Sequence, residues 1–297
     1  IVASCSPRMH EITFRRVVDE AGLNPYLFEM ANIREHCSWV HADNPKAATK
    51  KAKDLIRMAV ARAKLLEPLQ KREVGVIVKA LVLGAGIAGI RTSLDLADRG
   101  FEVYLIEKAP YIGGRMIQLN KLYPTGEYAQ EVLKSLTDSL VSNLKVKLLT
   151  NSEAKAVDGY IGNFKVKVLE KPRYVNEKCN ACGDCEAKCP IEIANEFDYG
   201  LSRRKAIYLP FSEATPLRYI IDEKNCNKCG KCVESCKEGA INLEEQAKET
   251  EIDVGTIIVA TGLDLYEPPK GEYGYKAYDN VITTAQLERL LNENGPT

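Results

Sequence analysis

Cys179, Cys182, Cys185 and Cys189 are followed 47 residues later by Cys226, Cys229, Cys232 and Cys236 in the same spacing. The words around them repeat as well, Cys179-Asn180-Ala181-Cys182-Gly183 against Cys226-Asn227-Lys228-Cys229-Gly230. The chain therefore carries an internal duplication. In each copy three thiols sit on one tight loop, and a fourth follows three residues after the last of them.

This spacing is the bacterial ferredoxin run that holds a four-iron four-sulfur cube. Three thiolates on one loop reach three irons, and the fourth iron takes its ligand from elsewhere. In two-cluster ferredoxins that ligand is the last cysteine of the other run. The spacing therefore predicts one cube on Cys179, Cys182, Cys185 and Cys236, and a second on Cys226, Cys229, Cys232 and Cys189. Zinc ribbons use cysteine pairs separated by a longer stretch, which fits poorly. A disulfide framework belongs to small secreted domains, and the sequence shows no signal peptide. One asymmetry stands out: Pro190 follows Cys189, but Lys237 follows Cys236. Lysine restores a backbone N–H that proline lacks, so the two centres are expected to differ in reduction potential.

With 297 residues the chain has room for two or three domains. Its 41 basic and 41 acidic side chains balance, which excludes the strong charge that draws a protein to nucleic acid or an anionic membrane. The longest uncharged apolar stretch, Ala80 to Ile90, is too short for a membrane span and contains three glycines. Ten cysteines, eight of them in the two runs, suit a reducing cytoplasm. Ile1 is not an initiator methionine, and the chain stops soon after a helix start at Thr283–Thr284, so a fragment of a longer polypeptide is expected.

A second cofactor signal lies upstream. Lys79 to Leu83 reads as a strand, and Gly84-Ala85-Gly86-Ile87-Ala88-Gly89 follows it at once. Ile90, Leu94 and Ala97 then recur at helical spacing up to the stop at Gly100, Phe101 to Ile106 reads as the next strand, and Glu107 ends it. This context makes the glycine loop a dinucleotide site. Gly84 allows the tight turn, Gly86 admits the pyrophosphate and Gly89 packs helix on strand, while the helix N-terminus faces the phosphates. Glu107 stands where it would bond a ribose hydroxyl and repel a 2′-phosphate. Lys108 follows it, and then Ile112-Gly113-Gly114-Arg115-Met116. That extension resembles the FAD half of the two-dinucleotide-binding flavoproteins. A later strand ends in Ala260-Thr261-Gly262, which resembles the motif that closes the same FAD domain.

Because Thr261 and Gly262 come after the cysteine block, the FAD domain is read as interrupted by a ferredoxin-like module, leaving near Pro172 and resuming near Ile241. The expected fold class is α/β: a Rossmann-like FAD domain with an inserted two-cluster α+β module, preceded by an α/β amino-terminal domain. The expected boundaries are 1–78, 79–172, 173–243 and 244–297. Asn143 to Leu149 and Asn163 to Val168 alternate as half-buried strands, read as an accessory sheet, with a turn at Gly159 to Gly162.

Upstream of residue 79, Asn44-Pro45 starts a helix, as cap and first-turn proline. Ala52, Leu55, Ile56, Ala59, Ala63 and Leu66 form its apolar stripe, opposite a solvated basic face. Cys5 and Cys37 are isolated, and lone cysteines are commonly small buried hydrophobes. His10, His36 and His41 gain no role from their spacing.

Taken together, several words resemble the A subunits of heterodisulfide reductases. They are Cys5 to Glu11, Glu29 to His41, the Gly84 loop, Ile112 to Met116, Gly159 to Phe164 and the two cysteine runs. The resemblance runs through nearly the whole chain. It implies an FAD-containing, multi-cluster oxidoreductase subunit of the soluble enzyme that reduces the coenzyme M–coenzyme B disulfide by flavin-based bifurcation. It also implies partners: the B and C subunits, a hydrogenase or formate dehydrogenase as donor, ferredoxin, and a homodimer within the larger complex. In that family the amino-terminal domain carries a third cluster, which makes Cys5 and Cys37 candidate ligands. Family members have a cysteine pair after Pro124-Thr125, and this sequence has none there, which removes thiol chemistry from that loop. Two alternatives stay open, a pyridine-nucleotide-dependent flavoprotein with a fused ferredoxin module and an electron-transfer subunit of sulfur or sulfate metabolism. The sequence singles out no catalytic residue.

Overall fold

The computed structural model describes residues 1–296. They divide into two compact units, Ile1–Val74 and the part from Gly75 onward.

In the first unit β1 (Val2–Ser4) pairs in parallel with β2 (Met30–Asn32), and α1 (Pro7–Glu20) connects them. Pro7 occupies the first helical position, where its missing N–H costs nothing. Asn44 caps α2 (Pro45–Ala63), its side chain accepting from the Ala47 N–H at 3.1 Å. Ala59 is buried, and Ala52, Leu55, Ile56, Ala63 and Leu66 are half-buried on the same face, as the sequence spacing predicts. Phe28, Met30, Ala31, Cys37 and Ala59 form this unit's core.

The second unit is built on a parallel sheet of order β13-β3-β4-β5, comprising β3 (Lys79–Leu83), β4 (Glu102–Ile106), β5 (Val146–Leu149) and β13 (Thr256–Val259). α3 (Ile87–Asp98) and α4 (Ala129–Ser142) cover it, with Val82, Ile90, Leu105, Leu133 and Leu140 buried between. The middle of β3, Ala80 to Val82, is fully buried, because helices and a second sheet cover its two faces. Leu81 points into the second layer, with Val166, Val168, Ile252 and Val254. That layer is an antiparallel sheet of order β12-β7-β6, made of β6 (Ser152–Tyr160), β7 (Asn163–Glu170) and β12 (Lys248–Val254).

One expectation is corrected here. Asn163 to Val168 lies in the accessory sheet, but Val146–Leu149 is the edge strand of the parallel sheet, with Val146 opposite Val103. An edge strand with one solvated face alternates just as an antiparallel strand does, so alternation cannot choose between the two sheets.

β7 and β12 are neighbours, with Glu170 opposite Lys248, and everything between those residues is an insertion at one point of the sheet. The insertion holds two short helices, α5 (Asp184–Lys188) and α6 (Lys231–Ser235), which pack on each other. It also holds two small ladders, β8 (Glu192–Ala194) with β9 (Arg203–Lys205), and β10 (Ile207–Tyr208) with β11 (Ile220–Ile221). Val175, Ile207, Tyr219, Ile221, Ala240 and Ile241 form its small core, together with Cys185 and Cys232. The chain's last helix is α7 (Thr284–Leu291), held by a capping box of Thr283 and Gln286.

Candidate cofactor sites

The two cysteine loops repeat in backbone as well as in sequence. Ala181 and Lys228 are left-handed at φ 57° and 52°, and Gly183 and Gly230 at 88° and 79°. Each glycine precedes a five-residue helix, and each helix ends on the fourth cysteine in extended conformation, Cys189 or Cys236. That exit carries each fourth cysteine away from its own loop and across to the other.

The result is two cavities, each lined by three thiols of one loop and the fourth cysteine of the other. One, of about 180 Å3, is lined by Cys179, Cys182, Cys185 and Cys236. The other, much tighter at about 10 Å3, is lined by Cys226, Cys229, Cys232 and Cys189. All eight thiols are free of disulfides. Among the described residues no three Cys, His, Asp or Glu side chains converge on a point fit for one metal ion. In the first cavity the four thiols stand round a space larger than a single ion needs, which suits a cluster better than a mononuclear zinc. Backbone N–H groups point at sulfur, from Lys228 to Cys226 at 3.3 Å and from Ala240 to Cys236 at 3.4 Å. Burial pushes the Cys185 thiol up to about 12 and the Cys232 thiol upward too, so an apolar pocket resists bare thiolates there. Cationic iron is the partner that would favour the ionised form.

The glycine loop lies at the carboxyl end of the parallel sheet. A Cβ on Gly84 (φ 100°) would lie 2.4 Å from the Ala260 carbonyl oxygen, and one on Gly89 would lie 1.8 Å from the Gly84 carbonyl oxygen. A Cβ on Gly86, by contrast, would meet nothing nearer than Gly114 Cα at 4.0 Å. Gly84 and Gly89 are therefore required by close packing, and Gly86 leaves open room. No side chain caps α3, and Ile87 and Ala88 are exposed at its start, so first-turn N–H groups face that room. The Gly113 N–H donates to the Ala85 carbonyl at 2.8 Å, setting the Gly113-Gly114 turn against the loop.

Glu107 is buried at the end of β4, where Oε2 accepts the Ala85 N–H at 2.7 Å and Oε1 accepts the Ala109 N–H at 2.8 Å. The carboxylate thus fixes the glycine loop. Its remaining lone pairs are free to meet a ribose hydroxyl. Lys108 is exposed. Arg115 Nε donates to the Leu263 carbonyl at 2.9 Å, tying the Gly113-Gly114-Arg115 turn to the segment after Thr261-Gly262. Thr261 and Gly262 are exposed beside Gly84. The turn, the strand-end segment and the loop, widely separated in sequence, therefore rim one site.

Cys37 is buried and its thiol donates to the Ala48 carbonyl at 2.9 Å, while Cys5 is half-buried beside the Ser4 hydroxyl. Three residues that the sequence did not point to frame the second unit's sites. Tyr219 lines the Cys179 cavity, Arg173 binds its backbone, and Arg289 pairs with Asp198. None has a motif to betray it, since each acts through a partner far away in sequence.

A family profile described as "4Fe-4S dicluster domain" matches residues 178–241, and one described as "NAD(P)-binding Rossmann-like domain" matches residues 82–127. The chain is 55% identical over 299 residues to the A subunit of the H(2):CoB-CoM heterodisulfide,ferredoxin reductase from Methanothermobacter marburgensis. It is 51% identical over 299 residues to the iron-sulfur A subunit of the CoB-CoM heterodisulfide reductase from Methanocaldococcus jannaschii. The chain is similar over its whole length to these A subunits of heterodisulfide reductases. A third relative, the A subunit of the Ferredoxin/F(420)H(2)-dependent CoB-CoM heterodisulfide reductase from Methanosarcina acetivorans, is 45% identical over 300 residues. Each match covers 100% of this chain, but only 45%, 46% and 38% of those relatives, so the chain spans less than half the length of the A subunits it matches. Within that span, the chain combines a match to a Rossmann-like dinucleotide domain with an inserted match to a 4Fe-4S dicluster domain. Among the described residues no helix is long and apolar enough to cross a membrane.

Proposed function

We propose that this chain is the flavin and iron–sulfur core of a soluble, cytoplasmic heterodisulfide reductase, which divides electron pairs from FAD between ferredoxin and the coenzyme M–coenzyme B disulfide. The observation that carries the reading is that one compact unit holds both the glycine loop and the two crossed four-thiol cavities. FAD takes electrons in pairs and releases them singly, and each cube carries one at a time.

In this reading the α3 N-terminus and the open room at Gly86 hold the pyrophosphate, Glu107 bonds the adenosine ribose, and Gly113, Gly114, Arg115, Thr261 and Gly262 rim the cofactor. Cys179, Cys182, Cys185 and Cys236 hold one cube, and Cys226, Cys229, Cys232 and Cys189 the other. The partners are the B and C subunits, a hydrogenase or formate dehydrogenase, and ferredoxin. Cys5 and Cys37 remain candidate ligands for a third cluster, with the other ligands coming from outside this set.

Anaerobically purified protein is expected to contain one flavin and, from the two cavities, about eight irons per chain. A preparation without flavin, or with only about four irons after full reconstitution, overturns the proposal. Photoreduction provides a second check: flavin and cluster bands should bleach together. Bleaching of the clusters alone would indicate an electron wire with no working flavin.

A further inference from the structure

Arg173 is the third residue after the accessory sheet gives way to the insertion's loop, and it is only 5% exposed. Its guanidinium spends its donors on three main-chain carbonyls. Nε donates to Tyr219 at 3.1 Å, Nη2 to Arg218 at 2.9 Å and Nη1 to Pro110 at 2.7 Å. Among the described residues no carboxylate forms an ion pair with it. The three bonds engage each of its three nitrogens but do not neutralise its charge, and an unpaired buried cation is costly.

The two ends of this arrangement belong to different sites. Pro110 lies two residues before Ile112, which opens the turn at the dinucleotide loop and is itself tied to the insertion, its N–H donating to the Thr215 carbonyl at 3.0 Å. Tyr219 lines the cavity of Cys179, Cys182, Cys185 and Cys236, and its hydroxyl donates to Glu186 at 2.8 Å, on the short helix that carries Cys185. The charged and titratable groups that act on Arg173 are Arg218, Tyr208, Cys179 and Glu245. Of the acidic ones, Glu245 already accepts the Tyr174 N–H. The bond of Arg173 to the Tyr219 main chain nevertheless holds the guanidinium behind the wall of the Cys179 cavity, which Tyr219 and Val175 both line, so negative charge placed in that cavity would act on the buried cation.

We propose that Arg173 is a positioning residue that raises the reduction potential of the centre held by Cys179, Cys182, Cys185 and Cys236 relative to its neighbour. The inference rests on the iron–sulfur reading above. A cube with four thiolates carries net negative charge, an added electron makes it more negative, and a fixed buried cation favours the reduced form. The other cavity has no comparable group. Its lining is Pro190, Ile191, Ala206, Ile207, Ile221 and Leu243 about the thiols and the Asn227–Gly230 loop, whose Lys228 is exposed. Burial, with the neighbouring Arg218, draws the Arg173 guanidinium down to about 10, which leaves it charged at neutral pH.

The test is a potentiometric titration of the full-length holoprotein followed by electron paramagnetic resonance, with the signal of this centre assigned as the one altered by Cys182→Ser. At the wild-type midpoint, Arg173→Gln should lower the reduced-to-oxidised ratio of that centre about tenfold, a negative shift of about 59 mV for a one-electron couple. The other signal should stay put, and Arg173→Lys, which keeps the charge, should restore most of the shift. Unchanged midpoints, or equal shifts in both signals, overturn the inference while leaving the cluster assignment intact. If Arg173→Gln does not fold, Arg173→Met, uncharged and of similar length, carries the test: a negative shift of the same signal alone supports the inference and no shift overturns it. Wild-type protein short of two cubes overturns the proposed function at the iron analysis, and this inference with it.

Discussion

Arg289 Nε donates to Asp198 Oδ1 at 2.9 Å, and both side chains are buried. The pair joins α7, after the return to the dinucleotide domain, to the cluster insertion. The guanidinium also lies 4.7 Å over the Phe197 ring and donates through Nη2 to the Asn294 carbonyl. Asp198 in turn accepts from Asn195 and Ser202. Gln118 extends the seam, donating to the Phe197 carbonyl at 2.8 Å and accepting from the Tyr199 hydroxyl at 2.8 Å. Cluster module and dinucleotide turn are thereby fixed in one frame, as the proposed electron exchange between them would require.

Removing one partner leaves a buried charge alone. Arg289→Met should therefore cost about 3–5 kcal/mol of stability, and Asp198→Leu a similar amount. The double variant should be much milder than the sum, because two desolvation penalties vanish together. Urea unfolding monitored by circular dichroism decides this, and additive losses would show that the pair is not coupled.

The glycine loop gives a sharper separation of folding from binding. Gly89→Ala and Gly84→Ala place a methyl group inside contact distance of rigid backbone, so both should destabilise the protein by about 1–3 kcal/mol or more and lose flavin as a result. Gly86 has φ −74° and open space around it. Gly86→Ala should leave the thermal midpoint within about 2 °C of wild type while weakening flavin retention at least about tenfold, since its methyl group occupies the phosphate room. Flavin content after gel filtration, compared with the unfolding midpoint, distinguishes the two classes.

Glu153 predicts a pH dependence. Lys155 and Lys171 hold its carboxylate well below the usual range, down to about 2. Lys171 begins the insertion, so the pair clips the exit from β7 to β6. The folded-state value lies below the unfolded one of about 4.3, so the stabilisation is present above that value and fades as pH falls toward about 2. The site is largely solvated, which limits the effect to under about 1 kcal/mol. Glu153→Gln should therefore be slightly less stable than wild type at pH 7 and indistinguishable from it near pH 2. An equal difference at both pH values would show that the ion pair is not its cause.

Local signals made part of this architecture readable before any coordinates. Asn44-Pro45 and Thr283 start helices because caps act over three residues, and Gly159 and Gly162, at φ 103° and 92°, make the β6–β7 turn because only the chain itself decides it. The strand–glycine–helix unit at Gly84 is equally local. What escaped depends on tertiary pairing. Val146–Leu149 alternates like an accessory strand and yet pairs with β4, and Arg289 meets Asp198 across 91 residues with nothing in either neighbourhood to announce it. Arg173 is hidden for the same reason, since its partners are backbone carbonyls, which carry no sequence signature.

The crossing of Cys189 and Cys236 is the most demanding prediction, because it couples residues of opposite loops. Each terminates a five-residue helix in extended backbone, which sends Cys236 to the cavity of the first loop and Cys189 to that of the second. Cys236→Ser should thus perturb the same resonance signal as Cys182→Ser, and Cys189→Ser the same signal as Cys229→Ser. Each should lower iron by up to about four per chain, since a cube with three thiolates is readily lost. Serine has nearly the shape of cysteine, so the fold should tolerate these changes, and secondary structure by circular dichroism checks that it does. If Cys236→Ser alters the Cys229 signal instead, each loop holds its own cube and the crossed arrangement is wrong. The short helices would then have to unwind to turn their last thiols inward.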